Sequence, residues 1–275
     1  MTKIDIGFLG YGRMAQAISE GLDRTKRMPY SSQAASDIAA QQLAALAAQR
    51  NIKAADDNQQ VVDLAPVVVV AVKPHQVKEA LSKIKETISS NPKAYQEKLF
   101  ISIAAGVRLS VLAECLGPKV HLVRVIPNLP ALVGQGMTLL CAPPQTPQEH
   151  IETAKSVFEA VGSVMVLDES KFDVGTAVSG SGPAYFFLVM EAMIRGAVRL
   201  GITWDDAREL VFKVALGSAL TALARPDLAL ADLRDQVTSP GGSTAEALYE
   251  LENGSLTALF HKALQAASEK NSKLA

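Results

Sequence analysis

Short runs of consecutive apolar residues alternate with longer amphipathic stretches through the first half of the chain. Strands are predicted over residues 4–9, 67–72, 99–103 and 120–125, an alanine-rich helix over 36–50, and a further helix from His75. Continuous β-branched runs that alternate with helices are typical of a parallel sheet covered on both faces. The pattern therefore predicts an α/β fold with a doubly wound sheet.

The hydrophobic pattern changes after about residue 164, where the predicted strands stop. Helical periodicity then continues almost without interruption, with helices predicted over 170–179, 183–200, 204–223, 228–236, 243–252 and 255–269. We therefore predict two domains, an α/β domain over 1–164 and an all-α domain over 165–275.

The predicted helix 183–200 is apolar nearly all round. Its charges are Glu191, Arg195 and Arg199, which lie four residues apart on one stripe and can pair along it. Such a helix needs burial on several sides, which a helical domain of about 110 residues does not readily provide. Dimerisation through this region is the economical interpretation, and the central helix of a monomeric bundle is the alternative.

A glycine-rich turn joins the first strand to the first helix. Gly10, Gly12 and Ala15 form G-x-G-x-x-A, with Arg13 and Met14 opening the helix. Gly10 permits the tight turn, Gly12 lets the backbone approach a pyrophosphate, and Ala15 keeps helix and strand close. In this context the motif favours dinucleotide binding over a structural turn, and the sheet is of Rossmann type.

Three later segments follow predicted strands and should border the same crevice, because ligands of such sheets bind beyond the carboxyl ends of the strands. They are Val72-Lys73-Pro74, Ala104-Ala105-Gly106 and the segment containing Asn128. Each has a plain alternative, as a loop cation, an ordinary turn or a stop after a strand. Their common position at strand ends favours cofactor binding by the set.

The residues about 20 positions beyond Gly12 indicate the preference between NADH and NADPH, because an NAD enzyme carries an acidic residue there that binds the ribose 2′-hydroxyl. The chain there reads Tyr30-Ser31-Ser32-Gln33, and the hydroxyls of Ser31 and Ser32 could accept a 2′-phosphate. We therefore expect NADPH to bind more tightly than NADH, with NADH also accepted. The alternative is that both serines simply end the second strand.

Near the C-terminus the turn Thr238-Ser239-Pro240-Gly241-Gly242-Ser243-Thr244 runs into a helix. The first N–H groups of a helix have no intrahelical partner, so Gly242, Ser243 and Thr244 could together hold a small carboxylate. The competing interpretation is a capped helix start, since serine and threonine are common N-caps.

Composition fits a metabolic enzyme. The chain has 275 residues, 48% of them apolar, and a net charge of −1, which argues against a nucleic acid or an anionic membrane as partner. The apolar run from Ala65 to Val72 is too short to cross a bilayer. Cys115 and Cys141 stand alone, and the four histidines lack metal-ligand spacing, so we expect no metal and a reducing, cytoplasmic compartment.

Taken in order, six segments resemble pyrroline-5-carboxylate reductases over nearly the whole chain. They are residues 10–14, 71–74, 104–106, 127–130, 178–185 and 238–244. The resemblance implies reduction of 1-pyrroline-5-carboxylate to L-proline with NADPH or NADH, on a Rossmann domain followed by a helical substrate-binding and dimerisation domain. It also implies a homodimer, with a ring of dimers as a further assembly.

By the same resemblance, the backbone N–H groups of Gly242, Ser243 and Thr244 would bind the substrate carboxylate, in a turn that Ser239 and Gly241 shape. The Thr244 hydroxyl would lie near the imine nitrogen, where it orients the iminium or relays its proton. Such a reaction needs no metal and no strong nucleophile, because the cofactor supplies the hydride.

Two other functions are compatible with part of the sequence. A β-hydroxyacid dehydrogenase shares the glycine fingerprint and the helical second domain, but it carries a catalytic lysine where this chain has Phe186. A non-catalytic sensor of the NADP redox state would show a degraded turn at 238–244 or an added interaction tail. The complete turn and the short polar tail speak against it.

Overall fold

The computed structural model describes residues 3–273. Its strands are β1 (Ile6–Leu9), β2 (Gln33–Ser36), β3 (Lys53–Ala54), β4 (Val67–Val70), β5 (Leu99–Ser102), β6 (His121–Ile126), β7 (Gly136–Cys141) and β8 (Gly162–Val166). Its helices are α1 (Arg13–Arg24), α2 (Ala40–Arg50), α3 (Asn58–Leu64), α4 (Val77–Ser90), α5 (Pro92–Tyr95), α6 (Leu109–Leu116), α7 (Gln148–Glu159), α8 (Phe172–Ser179), α9 (Gly182–Arg199), α10 (Trp204–Ala224), α11 (Leu230–Gln236), α12 (Ser243–Asn253) and α13 (Leu256–Ser272).

All eight strands form one sheet in the order β3-β2-β1-β4-β5-β6-β7-β8. Only the β6–β7 pair is antiparallel. The chain leaves β1 in one direction through β2 and β3 and then returns to place β4 on the other side of β1. This reversal creates a crevice beyond the carboxyl ends of β1 and β4, where sheets of this kind bind ligands.

The strands next to this reversal are buried on both faces, which explains their unbroken apolar sequence. Every residue of β1, β4 and β5 is buried. One face packs on a cluster that includes Phe8, Ile18 and Phe158, and the other on a cluster that includes Val68, Leu81 and Phe100. Burial on both faces holds the strand ends rigidly in place.

The predicted α/β fold with a doubly wound sheet followed by helices is confirmed, but the second strand lies later than the pattern suggested. Residues 33–36 belong to β2, and α2 begins only at Ala40. The segment Gln33-Ala34-Ala35-Ser36 shows no strand pattern because it has no β-branched residue, and Ser36 falls within the predicted helix 36–50. Its pairing with both β1 and β3 overrides that local preference.

Three strands were missed altogether, namely β3, β7 and β8. The β3 strand has two residues, and both are exposed, so it carries no apolar pattern. The last two strands pair with each other in parallel, and β7 joins the sheet through its antiparallel pairing with β6. They extend the sheet away from the crevice.

By packing, the chain divides into two compact units. One runs up to Ser181 and takes in the chain from Ala267 on, and the other comprises Gly182–Ala266. The functional division predicted after residue 164 places α8 with the helical domain, and it stays a prediction.

The second unit buries little of its own apolar surface. Its core cluster consists of Ile194, Ala207 and Val211. Phe186 on α9 is 70% exposed and Leu223 on α10 is 78% exposed. The expected ion pair along α9 forms between Glu191 and Arg195, at 2.6 Å. A unit that leaves so much apolar surface uncovered is built to be covered by another surface.

The stretch Glu169–Arg199 is the one candidate among residues 3–273 that is long and apolar enough to cross a membrane by length and composition. An 18-residue window within it has a mean hydropathy of 1.3, and 17% of that window is buried. A helix that is covered by a partner subunit has the same length and composition.

Candidate functional site

The glycine-rich turn between β1 and α1 uses its two glycines for different purposes. Gly10 has a φ of +88°, and a Cβ added there would lie 3.0 Å from the carbonyl oxygen of Ala71. An added Cβ at Gly12 would meet no heavy atom of the described residues within 4 Å. Gly10 is thus required by the backbone itself, whereas Gly12 keeps the face of the turn open to a ligand.

The start of α1 offers unpaired donors to that open face. The first helical hydrogen bond of α1 is donated by the N–H of Gln16 to the carbonyl oxygen of Gly12, at 2.9 Å. The N–H groups of Arg13, Met14 and Ala15 precede it and have no helical acceptor. An anion such as a pyrophosphate fits here, because these dipoles and the helix N-terminus both favour negative charge.

A cavity of about 710 Å³ lies beside this turn, at the crevice that the sheet topology creates. It is lined by Gly10, Gly12, Asp37, Ile38, Asn58, Ala71, Val72, Lys73, Gln76, Glu79 and Ala80. The structure thus brings four of the predicted cofactor residues together, namely Gly10, Gly12, Val72 and Lys73. The glycine cradle and a cavity of this size suit a dinucleotide.

Other predicted cofactor residues lie at the same edge of the sheet without lining this cavity. Pro74 opens a short 3₁₀ turn directly after Lys73. The segment Ala104–Gly106 follows β5, and its last residue has a φ of +79°. Its middle residue, Ala105, is exposed. These residues present backbone rather than side-chain groups, as expected for a strand end that approaches a cofactor.

Asn128 has a structural task that its sequence position did not reveal. Its amide nitrogen donates to the carbonyl oxygen of Ser179 at 2.9 Å, and its amide oxygen accepts the N–H of Met137 at 2.9 Å. The residue is buried. The side chain therefore ties the end of β6 to β7 and α8, which leaves only its backbone for a cofactor.

The prediction that Ser31 and Ser32 bind the cofactor is corrected by the position of β2. Both serines lie in a 3₁₀ turn that precedes β2. Ser32 is buried, and its hydroxyl donates to the carbonyl oxygen of Pro29 at 3.0 Å. They stand at the amino end of the strand, whereas the crevice lies beyond its carboxyl end.

The residues that do follow β2 are Asp37 and Ile38, which sequence analysis missed. The carboxylate of Asp37 accepts the N–H of Tyr11, the middle residue of the glycine turn, at 2.6 Å. It also accepts the N–H of Ala39 at 2.8 Å. An acidic residue 25 positions beyond Gly12 was the available signal, and it was lost because β2 was placed too early.

Tyr11 itself points away from the cavity. Its hydroxyl lies 2.6 Å from the hydroxyl of Ser19, which donates to the side-chain oxygen of Gln33 at 2.5 Å. Burial raises the pKa of Tyr11, so the phenol stays neutral. This buried chain of hydrogen bonds anchors the glycine turn to the first helix and the second strand.

The second predicted site, the turn before α12, belongs to the helical unit. Gly241 has a φ of +68°, in the left-handed region that favours glycine. A Cβ added at Gly242 would collide with the hydroxyl oxygen of Ser239. The backbone angle therefore favours glycine at Gly241, whereas a side chain at Gly242 would force the Ser239 hydroxyl to move.

The donors of this turn differ from the predicted set by one group. The N–H of Gly242 donates to the carbonyl oxygen of Ser239 at 3.0 Å, so it is not free for a ligand. Bonds back to the carbonyl oxygen of Gly242 begin at Ala245, at 3.0 Å. Ser243 and Thr244 lie between, and no acceptor for their N–H groups is found in residues 3–273. The predicted three-donor cradle is thus a two-donor cradle.

Thr244 is not the cap of this helix. The N-cap of α12 is Gly242, and Thr244 lies two residues inside the helix. Within the described chain no hydrogen bond to the Thr244 hydroxyl is found, whereas the hydroxyl of Thr238 donates to the carbonyl oxygen of Arg234 at 2.7 Å. The capping interpretation of Thr244 therefore has no support in the geometry, and its hydroxyl is available to a ligand.

One cluster of potential metal ligands occurs in the part of the chain described, formed by Glu97, His121 and His150. The two imidazole rings stack at 4.0 Å with an interplanar angle of 27°. Ring-nitrogen lone pairs lie in the ring planes, so stacked rings do not direct them at one ion. Burial and the neighbouring His121 lower the pKa of His150, which keeps it neutral. We assign no metal to this cluster.

Two family models match the chain in sequence. Residues 169–274 match the model described as pyrroline-5-carboxylate reductase dimerisation. Residues 5–106 match the model described as NADP oxidoreductase, coenzyme F420-dependent. The first match covers the helical unit, and the second covers the glycine turn and the cavity.

Full-length relatives agree with these matches. The pyrroline-5-carboxylate reductase of Pseudomonas aeruginosa is 39% identical, with 100% of this chain and 98% of the relative covered. That of Methanosarcina acetivorans is 36% identical over 100% and 99%. A solved pyrroline-5-carboxylate reductase from Coxiella burnetii has a TM-score of 0.90 at 36% identity, over 100% and 99% of the two chains. The Plasmodium falciparum pyrroline carboxylate reductase, solved with NADP bound, has a TM-score of 0.86 at 28% identity, over 100% and 99%.

Proposed function

Because the chain belongs to the pyrroline-5-carboxylate reductase family, we propose that the turn before α12 holds its substrate and the glycine turn after β1 holds its cofactor. The activity is the NAD(P)H-dependent reduction of the cyclic imine 1-pyrroline-5-carboxylate to L-proline, the last step of proline biosynthesis. The enzyme is thus an oxidoreductase that acts on a CH–NH bond. The observation that carries the site assignment is the pair of unpaired N–H groups at Ser243 and Thr244.

The substrate carboxylate binds these two N–H groups at the start of α12. Two parallel donors match the two oxygens of a carboxylate, and the N-terminus of an eleven-residue helix adds a favourable dipole. Ser239, Gly241 and Gly242 shape the turn, and Gly242 contributes no donor of its own. The cradle is made of backbone, so substrate binding depends little on which side chains project from it.

The Thr244 hydroxyl acts on the imine nitrogen. It belongs to the same residue as one of the carboxylate donors, so a carboxylate held there brings the adjacent ring nitrogen within reach of the hydroxyl. The hydroxyl can donate a hydrogen bond to the neutral imine nitrogen and accept one from water, which makes it a proton relay toward nitrogen, and once the iminium has formed it can accept the N–H and orient the ring. Reduction needs a proton on nitrogen and a hydride at the imine carbon, and no base of higher strength is required.

NAD(P)H, when bound, supplies the hydride. The chain's contribution is to bind and orient it, with the N–H groups of Arg13 and Met14 on the pyrophosphate and Gly10 and Gly12 allowing close approach. Val72 and Lys73 border the cavity beyond β4. Pro74 follows them, and Ala104–Gly106 and the backbone of Asn128 continue this edge of the sheet toward the nicotinamide end.

The helical unit makes the enzyme a homo-oligomer. Its exposed apolar surface and the match to a dimerisation model support a homodimer, and a ring of dimers is a further assembly of the same unit. The cysteines are free, with Cys141 buried, which suits the reducing cytoplasm as its compartment.

The test of this function is a direct assay. Purified protein is mixed with NADPH or NADH and with 1-pyrroline-5-carboxylate, and nicotinamide absorbance is followed while proline is quantified. One proline should form per cofactor oxidised, and a Ser243→Pro variant, which deletes one donor of the cradle, should raise the KM for the imine. Proline formation without cofactor oxidation, or an unchanged KM, would contradict the assignment.

A further inference from the structure

We propose that Asp37 makes this enzyme bind NADH more tightly than NADPH, although it accepts both. The inference rests on the proposed cofactor site and deepens it. Asp37 directly follows β2, at the carboxyl edge of the sheet, and it lines the 710 Å³ cavity beside Gly10 and Gly12. A carboxylate at this place in a dinucleotide fold accepts hydrogen bonds from the 2′-hydroxyl of the adenosine ribose.

The carboxylate is held in position and does not swing freely at the surface. Each of its oxygens accepts one backbone N–H, from Tyr11 at 2.6 Å and from Ala39 at 2.8 Å. The first of these donors lies in the glycine turn that would hold the pyrophosphate, which fixes the carboxylate beside the adjoining ribose. Each carboxylate oxygen keeps further acceptor capacity for ribose hydroxyls.

Acidic side chains predominate around Asp37. Asp56 and Asp57 follow β3 and line an adjoining cavity of about 510 Å³, together with Glu79 and Lys83 from α4. The Lys83 ammonium lies 2.9 Å from Asp57, so these two charges offset each other and Asp37, Asp56 and Glu79 remain as the acidic groups. The first turn of α2 is uncharged, and Lys73 stands at the end of β4.

A 2′-phosphate would bring close to two negative charges into this cluster. Sites that accept it usually provide an arginine, and no arginine is among the described residues that line either cavity. The residue after Asp37 is Ile38, which is 93% exposed. Its side chain offers the adenine ring an apolar contact and offers a phosphate no charge and no hydrogen-bond donor. The order of affinities proposed here is the opposite of the one expected from Ser31 and Ser32.

Binding of cofactor fragments tests this inference without turnover. Calorimetric titration of the full-length protein with ADP-ribose and with its 2′-phosphorylated form isolates the 2′ group. We expect the phosphorylated form to bind roughly ten- to a hundredfold more weakly, as for loss of a charge-assisted hydrogen bond and gain of repulsion. Equal or tighter binding of the phosphorylated form would overturn the inference with no variant needed.

Two variants assign the effect to Asp37. Asp37→Ser should bring the affinities for the two fragments within a few-fold of each other and should raise the KM for NADH. Asp56→Asn makes the same change in net charge nearby and serves as the matched control, for which the ratio should stay close to that of the wild type. Equal changes in the two variants would show a general field and contradict the role of Asp37.

Failure of this inference and failure of the proposed function are distinguishable. Fragments that bind with no preference, in an enzyme that still forms proline, refute only the role of Asp37. A clear preference for the unphosphorylated fragment, in a protein that does not reduce the imine, supports the role of Asp37 and refutes the proposed substrate.

Discussion

Removal of the Thr244 hydroxyl separates a chemical role from a structural one. Thr244→Val removes the hydroxyl and keeps the branched shape, Thr244→Ala removes both, and Thr244→Ser keeps the hydroxyl. The carboxylate donors are backbone N–H groups that all three variants retain. We therefore expect the KM for the imine to change little while turnover falls roughly ten- to a thousandfold in the valine and alanine variants. The serine variant should recover much of the rate.

Thr244→Ala should lower the rate but leave the free energy of unfolding unchanged or slightly higher. Because Gly242 is the N-cap, Thr244→Ala removes no cap, and alanine is favoured over threonine within a helix by about 0.7 kcal/mol or less. The melting temperature should therefore stay the same or rise by about 1–2 °C. The expected loss of rate corresponds to about 1.4–4 kcal/mol of activation free energy, which is larger and opposite in direction.

The assay is steady-state kinetics at saturating cofactor beside a melting curve for each variant. Normal turnover in Thr244→Val would show that the hydroxyl takes no part, and the proton must then come from solvent or another residue. A melting temperature several degrees lower in Thr244→Ala, with turnover per folded molecule intact, would instead restore the capping interpretation.

Three further predictions concern the glycine turn, the assembly and the thiols. Gly12→Ala should fold normally, because its Cβ has room in the free protein, yet it should bind NADH roughly tenfold or more weakly, and an affinity equal to that of the wild type would refute this prediction. Gly10→Ala should instead lower the free energy of unfolding by about 1–2 kcal/mol, because Gly10 has a φ of +88°. Light scattering at micromolar concentration should give at least the mass of a dimer, and a fully active monomer would refute the proposed assembly. Burial raises the pKa of Cys141 to about 12, so at pH 8 the thiolate form of Cys141 is scarce. A colorimetric thiol reagent should therefore find at most one fast-reacting thiol in the native protein and two after denaturation. Two fast-reacting thiols in the native protein at pH 8 would contradict this prediction.

The sequence predicts most of this fold because its strongest patterns lie in buried elements. The runs at β1, β4 and β5 are buried on both faces, and α9, α10 and α13 have 17 to 21 residues each, which is long enough to show the helical period. The weak elements lack such patterns. β3 has two exposed residues, and β2 is a strand only because it pairs on both sides.

The same misplacement of β2 explains what could not be predicted of the candidate site. The position of Asp37 relative to the glycine turn depends on where β2 ends, so an error of a few residues moved the expected determinant to Ser31 and Ser32. The loss of Gly242 as a donor depends on a bond within the turn, and no spacing of residue types shows it. Asn128 likewise reads as a strand-end residue until its two partners are seen.

The small core of the helical unit has a thermodynamic consequence. A unit whose buried apolar cluster consists of Ile194, Ala207 and Val211 gains much of its free energy of folding from the surface that its partner covers. Folding and association then form one equilibrium, and the stability of the protein depends on its concentration. The melting temperature should rise with protein concentration, and enzyme diluted to nanomolar levels for kinetics should lose activity over time as the helical unit separates from its partner and opens.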